Sequence, residues 1–173
     1  MPPRDRSALS EEEALQAFDD FLAESPALVS ALRRELGEDV LDHSPASLVP
    51  LWGWFLEREQ SRSREPGPLP SWYLPDPPEL VAERLSPGTL RDVDSLGRYV
   101  AEVFLRNVPG AEWGIARLPE RLRYAHQNKP VVKIGDWDVD PVGIVYANAV
   151  RVALFGEEPA PDALLLTYEA NLG

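Results

Sequence analysis

The stretch KPVVKIGDWDVDPVGIVYANAVRVALF, residues 129–155, determines most of the fold of this chain. Two short apolar runs flank the pair Gly135-Asp136, and the pair Asp140-Pro141 precedes a longer apolar run. Glycine at the first central position is typical of a two-residue hairpin turn, and aspartate followed by proline is typical of a helix start. The stretch therefore predicts a β-hairpin that leads directly into a helix.

A two-residue turn also sets the register of the hairpin. Residues that lie opposite each other across such a turn are neighbours on the same face of the sheet. We expect two apolar pairs to face the core and one charged pair to form a cross-strand ion pair worth at most about 1 kcal/mol. The predicted pairs are Ile134 with Trp137, Val132 with Val139, and Lys133 with Asp138.

The three alternating aspartates of this stretch, Asp136, Asp138 and Asp140, invite a metal-site interpretation. A calcium loop is excluded, because Pro141 stands where glycine is required and Ala147 stands where glutamate is required. A magnesium site that uses two of the carboxylates is the alternative. The structural interpretation assigns one aspartate to the turn, one to the ion pair and one to the helix cap, and it predicts neither a metal nor a cofactor.

Two polar residues interrupt the final apolar helix. Asn148 and Arg151 are three residues apart and therefore share one helix face. On the preceding long helix, Tyr99 and Glu102 also share a face, and a buried arginine needs an anionic partner. If the two helices are neighbours, Glu102 could pair with Arg151. These four residues are the candidate polar cleft for a ligand, with a purely structural polar network as the alternative.

Residues 79–173 are predicted to form an α+β unit. A long helix from about Thr89, with Asp92 in capping-box spacing, ends near Asn107. Strands are expected at 111–117 and 122–126, a short helical turn at 79–85, and a last short helix at 162–171. This order of elements indicates a small, mainly antiparallel sheet packed against two longer helices.

Residues 1–60 are predicted to form an acidic helical subdomain, which together with the α+β unit could make one continuous fold. Serine before proline is typical of the end of one helix and the start of the next, and apolar residues at helical spacing give each helix a buried face. Three short helices are therefore expected. Their predicted starts are Ser10 with Glu13 as a capping box, Ser25-Pro26, and Ser44-Pro45.

Residues 61–78 are rich in proline and cannot form a helix or an inner strand. Because Trp72 and Tyr73 lie inside this segment, we expect a connector that docks on the rest of the protein. Trp52 and Trp54 are two residues apart on a predicted helix, so both cannot face the same core. Aromatic residues of this kind are favoured at interaction hot spots, and these four are the candidate partner-binding residues. Packing under the connector is the alternative.

Charge is distributed unevenly along the 173 residues. The net charge is −12, and residues 1–60 carry 13 acidic residues against 5 arginines, whereas residues 111–156 are close to neutral. An acidic surface disfavours nucleic acids and anionic membranes, because phosphate contacts need clustered cations. It favours a basic protein partner through electrostatic steering, although an acidic surface also simply maintains solubility.

Composition excludes several classes of site. Cysteine is absent, which excludes disulfides and cysteine-based metal sites, and no apolar run is long enough to cross a bilayer. We expect a cytoplasmic protein, and the ratio of 15 arginines to 2 lysines is typical of a GC-rich bacterial genome. Neither His43 nor His126 belongs to a recognisable catalytic motif, and phosphate-binding glycine loops are absent.

Two functions are compatible with these patterns. The first is a non-catalytic interaction, inhibitor or immunity-type protein whose acidic surface meets a basic partner. The second is a small enzyme or ligand-binding domain that uses the polar cleft around Glu102, Asn148 and Arg151. A domain that works only within an oligomer is a further possibility. An enzymatic activity is the less favoured of these interpretations, because no catalytic constellation is recognisable.

Overall fold

A computed structural model describes residues 9–62, 67–70, 85–117 and 127–173. The predicted strand at 122–126, Trp72, Tyr73 and most of the connector lie outside the described residues. The elements in chain order are helix α1 (Glu11–Leu36), a 3-10 turn (Pro45–Ser47), α2 (Leu48–Ser61), α3 (Pro87–Asn107), strands β1 (Glu112–Ile115), β2 (Pro130–Ile134) and β3 (Trp137–Val139), then α4 (Pro141–Ala153) and α5 (Ala163–Ala170). The predicted α+β class is confirmed. No helix within the described ranges is both long and apolar enough to span a membrane.

Helix α1 is one continuous helix, and the prediction of a break at Ser25-Pro26 was wrong. The predicted capping box at its start is confirmed. Proline removes one backbone donor from the helix interior, which ordinarily kinks or ends a helix. Here the hydroxyl of Ser25 donates to the carbonyl oxygen of Phe21 at 3.0 Å, and the guanidinium of Arg98 on α3 donates to the same oxygen. The Arg98 contact therefore ties the turn of α1 that precedes Pro26 to α3.

The start of α3 also differs from the prediction. Ser86 is the N-cap and Pro87 the first helical residue, so the helix begins before Thr89. The Ser86 hydroxyl accepts a hydrogen bond from the backbone N–H of Thr89 at 3.1 Å. The Thr89 hydroxyl is buried and donates to the carboxylate of Glu59 on α2. Thr89 thus links two helices instead of capping one.

The three described strands form an antiparallel sheet in the order β1-β2-β3. The three predicted hairpin pairs are confirmed, and Lys133 Nζ lies 3.2 Å from Asp138 Oδ1. Gly135 has φ +57, the left-handed conformation that glycine adopts most readily. The prediction that Trp137 faces the core was wrong, since the side chain is 50% exposed. Trp137 is the first residue after the turn, and its cross-strand neighbour Ile134 is buried in the core.

One hydrophobic cluster contains side chains from all five helices and from β2 and β3. Helix α3 contacts α1, α2, α4 and β2, and most of its length is buried. It crosses α4 closely at Gly97, where an added Cβ would lie 2.6 Å from the Cα of Val142. Among the largest buried side chains of the molecule are Phe21, Trp52, Phe55, Tyr99 and Phe104. Helix α3 therefore lies at the centre of these contacts, and its packing determines which neighbours the candidate site residues contact.

Candidate functional site

The four residues of the predicted polar cleft occupy two separate places. Glu102 pairs with His43 and, at 3.8 Å, with Arg106, whereas Arg151 pairs with Glu157 at 2.7 Å. The predicted ion pair between Glu102 and Arg151 does not form. Although α3 and α4 are neighbours, each of these two side chains has a closer partner of opposite charge.

The first place is a buried polar cluster around His43, which was not predicted from sequence. The imidazole is 4% exposed, its Nε2 lies 2.6 Å from Oε2 of Glu102, and its ring stacks on Tyr99 with 5.1 Å between centroids. The backbone N–H of His43 donates to the Tyr99 hydroxyl at 2.9 Å, and Asn107 Nδ2 donates to its carbonyl at 2.7 Å. These bonds hold His43 at φ +66, an uncommon conformation outside glycine.

Hydrogen bonds also satisfy the polar groups at the edge of this cluster. The hydroxyls of Tyr99 and Ser47 lie 2.7 Å apart, and Ser47 donates to the carbonyl of Ser44 at 2.6 Å. Burial raises the pKa of Tyr99, while its hydrogen bonds with Ser47 and His43 oppose that rise. The phenol is therefore neutral at physiological pH. Tyr99 and Glu102 form a structural network that joins the loop before α2 to α3.

A second buried polar cluster surrounds Arg98, which is 0% exposed. Its guanidinium contacts Asp94 at 2.8 Å, Glu24 at 3.1 Å and the Ser25 hydroxyl at 2.7 Å, and it stacks over the ring of Phe21. Burial raises the pKa of Asp94, and the neighbouring guanidinium opposes this effect. The i, i+4 spacing of Asp94 and Arg98 was a sequence signal for this pair. The cluster connects α1 to α3.

The second place is an open groove of about 1070 Å³ between the β2–β3 hairpin and helices α4 and α5, which we call the hairpin–α4 groove. Asn148 and Arg151 line this groove, and Tyr99 and Glu102 do not. Its polar side chains come from every surrounding element: Arg117 and Lys129 near the sheet ends, Lys133, Asp136 and Asp138 from the hairpin, Asp140, Asn148 and Arg151 from α4, and Thr167 and Asn171 from α5.

Helix α4 provides one long wall of the groove. Asp140, Ile144, Asn148 and Arg151 recur at helical spacing and so lie along one face. The predicted cap is confirmed, since Asp140 Oδ1 accepts from the backbone N–H of Gly143 at 2.8 Å. An added Cβ at Gly143 would meet the Asp140 carboxylate, which would have to shift. With a rise of 1.5 Å per residue, this wall is about 16 Å long.

The groove is richer in positive charge than the rest of the protein. It contains both lysines and two arginines in a chain whose net charge is −12. Lys129 pairs with Asp140 at 3.2 Å and Lys133 pairs with Asp138 at 3.2 Å. Asp138 and Asp140 are therefore engaged in the predicted structural contacts. The described residues include no group of three His, Cys, Asp or Glu side chains that could hold a metal ion.

Helix α5 adds uncharged hydrogen-bonding groups next to α4. Asn148 Nδ2 donates to the carbonyl of Ile144 at 2.9 Å and lies 3.4 Å from the hydroxyl of Thr167. Asn171 Nδ2 donates to the carbonyl of Thr167 at 2.8 Å, which leaves its own side-chain oxygen as an acceptor. The groove thus offers amide and charged groups together, a combination suited to a polypeptide segment with polar side chains.

The predicted partner-binding tryptophans have different environments. Trp52 is fully buried, stacks on Phe55 and donates through Nε1 to the carbonyl of Ala160 at 3.1 Å. It therefore offers no surface to a partner in this structure. Trp54 is partly buried, and the guanidinium of Arg58 lies 4.6 Å from the centre of its ring. Only Trp54 of this pair is accessible.

The acidic surface predicted for residues 1–60 lies largely on α1. Glu11, Glu12 and Asp19 are exposed and make no hydrogen bond or ion pair in the part of the chain that the structure describes. Leu15 lies among them on the same helix face and is 48% exposed. This face combines uncompensated negative charge with one apolar side chain.

Comparisons with family models, with curated proteins and with solved structures found no match for this chain.

Proposed function

We propose that the protein is a non-catalytic interaction domain that binds a segment of a partner protein in the hairpin–α4 groove. The observation that carries the proposal is the groove itself, in which three surrounding elements present charged and amide side chains to an open channel of about 1070 Å³. Sites for small molecules are typically enclosed and mostly apolar. An open polar channel is better suited to a stretch of polypeptide, whose backbone needs hydrogen-bonding partners along its length.

The ionic contacts within the groove support binding over catalysis. A lysine that acts as a nucleophile needs an amine that is free to approach a substrate, whereas an ion-paired lysine is already engaged with a carboxylate. Lys129 and Lys133 each lie 3.2 Å from an aspartate oxygen. His43, the one histidine among the described residues, is buried against Tyr99 and Glu102 and does not line the groove.

Peptide display against the purified full-length protein tests this proposal. Enriched peptides should bind the wild type and should shift the backbone amide resonances of Ala147, Asn148 and Thr167. The substitution Ala147→Trp places a large side chain in the groove and should lower the affinity at least about tenfold by steric exclusion. Ala31→Trp is the matched control on the exposed face of α1 and should leave the affinity unchanged. Equal binding to the Ala147→Trp variant would exclude the groove.

A basic protein partner on α1 is the second candidate, favoured by Glu11, Glu12 and Asp19, which form no ion pair with the described residues and surround the half-exposed Leu15. Uncompensated surface charge raises association rates with an oppositely charged partner. The double substitution Glu12→Gln with Asp19→Asn should slow the association of a basic peptide at low salt, and Glu57→Gln on α2 should not. Equal rates for both variants would remove this candidate.

Three further expectations from the sequence remain predictions. They are a bacterial source, a cytoplasmic location and a functional oligomer. A ligand cleft that includes Asn148 and Arg151 is retained in the groove proposal. The proposed cleft no longer includes Tyr99 and Glu102, because those two side chains belong to the His43 cluster.

A further inference from the structure

We infer that the partner segment is an acidic peptide in an extended conformation, whose carboxylates are bound by Arg117 and Arg151 at opposite ends of the hairpin–α4 groove. This inference rests on the proposed function, because it specifies the ligand of the same groove. It follows from the hydrogen-bonding capacity that remains on the two arginines and from the distance between them.

Both guanidinium groups retain N–H donors that none of the described residues uses. Arg151 donates through Nε to Glu157 at 2.7 Å, and Arg117 donates through Nη1 to the side-chain oxygen of Asn128 at 2.7 Å. These are the polar contacts of the two side chains, and a guanidinium has five N–H donors. Arg117 and Arg151 are both exposed and both line the groove. The remaining donors suit the two oxygens of a carboxylate.

The two arginines lie at different ends of the α4 wall. Arg117 bonds to Asn128, and the next residue, Lys129, bonds to Asp140 at the start of α4. Arg151 lies on the last turns of the same helix, about 16 Å further along its axis at 1.5 Å per residue. An extended chain rises about 3.3 Å per residue. The two acidic residues whose carboxylates contact these arginines should therefore be about five positions apart in the peptide.

Charge within the groove favours an acidic ligand over a basic one. The groove lining carries four cations against three aspartates. Lys129, Lys133 and Arg151 are each ion-paired with one carboxylate, whereas the described partner of Arg117 is the uncharged Asn128. The exposed acids of α1 would repel an acidic peptide at long range. At physiological ionic strength, however, screening acts over about 8 Å, which weakens distant repulsion much more than direct contacts.

Binding of two matched synthetic peptides to the full-length protein tests this inference. Both are uncharged elsewhere and rich in Ser and Thr, with glutamate at the first and sixth positions in one and glutamine at both positions in the other. The glutamate peptide should bind about tenfold more tightly, as measured by fluorescence anisotropy at physiological salt. Arg117→Gln and Arg151→Gln should each reduce that affinity about fivefold and should leave the glutamine peptide unaffected.

Arg106→Gln is the matched control, because Arg106 is an exposed arginine that is ion-paired at 3.8 Å and lies outside the groove. Equal affinity for the two peptides, or an equal effect of all three substitutions, would overturn the acidic-ligand inference. Peptide binding that is blocked by Ala147→Trp would still support the proposed function in that case. If neither synthetic peptide binds while display-selected peptides do, the acidic-ligand inference is again overturned and the groove proposal stands.

Discussion

Nε2 of His43 lies 2.6 Å from Oε2 of Glu102, although the two residues are 59 positions apart in the sequence. This contact assigns Glu102 to a structural network that joins the loop before α2 to the central helix α3. It also explains why the left-handed backbone at His43 is retained, since both backbone polar groups of that residue are hydrogen-bonded to α3.

The His43 ring is expected to stabilise the fold. His43→Asn removes the ring but keeps a residue that tolerates the left-handed backbone, so the substitution isolates the bond to Glu102 and the stacking on Tyr99. We expect a loss of about 1–3 kcal/mol in the free energy of unfolding, measured by urea denaturation. Arg106→Gln removes only the longer contact of Glu102 and should cost less than about 0.5 kcal/mol. A wild-type midpoint for His43→Asn would contradict a structural role for the ring.

Two glycine substitutions are expected to have opposite effects on stability, because Gly97 lies at the close crossing of α3 and α4 and Gly53 lies within α2. Gly97→Ala should lower the free energy of unfolding by about 1–3 kcal/mol, because the new methyl group meets the backbone of Val142. Gly53→Ala should raise it by about 0.5–1 kcal/mol, since Gly53 lies within α2 and a Cβ there meets nothing within 4 Å. Thermal or urea denaturation of both variants distinguishes packing from helix propensity. If both substitutions raised the free energy of unfolding, the close contact between α3 and α4 would not limit the size of the residue at position 97.

Arg98 is expected to be the most sensitive charged residue of those described. Arg98→Met leaves the buried carboxylate of Asp94 without its partner, and we expect a loss of about 3–5 kcal/mol in the free energy of unfolding. Arg34→Met is the matched control, because Arg34 is exposed on α1 and should change stability by less than about 0.5 kcal/mol. Similar urea midpoints for the two variants would mean that the Arg98 cluster does not hold α1 on α3.

Asp42 should make the stability of the protein depend on acid pH. Hydrogen bonds from Ser44 hold the pKa of Asp42 below its ordinary value of 3.8. A carboxyl group whose folded-state pKa is lowered stabilises the fold above 3.8, and this contribution is lost as the pH falls through the folded-state pKa. The wild type should therefore be more stable than Asp42→Asn at pH 7, and the difference in urea midpoint should shrink in acid.

The exposed neighbour Asp39 provides the control for this pH dependence. It makes no hydrogen bond or ion pair with the described residues, so the difference between the wild type and Asp39→Asn should not follow the same course with pH. A constant difference between the wild type and Asp42→Asn from neutral to acid pH would argue against the Ser44 hydrogen bonds as its cause.

The local features of the candidate site could be predicted because each depends on residues that are close in sequence. The hairpin register follows from one two-residue turn, and the cap of α4 follows from Asp140 and the backbone N–H three residues later. Asn148 and Arg151 share a face through helical geometry alone. Both side chains line the hairpin–α4 groove, whereas the partner proposed for Arg151 was wrong.

Failures occurred where distant contacts compete with local preferences. Pro26 is a strong local signal for a helix end, yet Arg98 and Ser25 bond to the Phe21 carbonyl and the helix continues. Trp137 has the register of a core residue, but whether a side chain in that register is covered depends on which helices reach that end of the sheet.

The sequence by itself determined the α+β class, the hairpin register, the caps of α1 and α4 and the apolar faces of the helices, because turn geometry and helical period act over a few residues. Only the tertiary structure decided which charged groups of elements distant in sequence meet. His43 and Glu102, or Arg98 and Glu24, are brought together by the packing of whole helices across 59 and 74 residues. That packing separated Glu102 from Arg151 and left Arg151 facing an open groove. The pairing of side chains on different elements depends on how those elements are placed relative to each other, and no local sequence pattern encodes that placement.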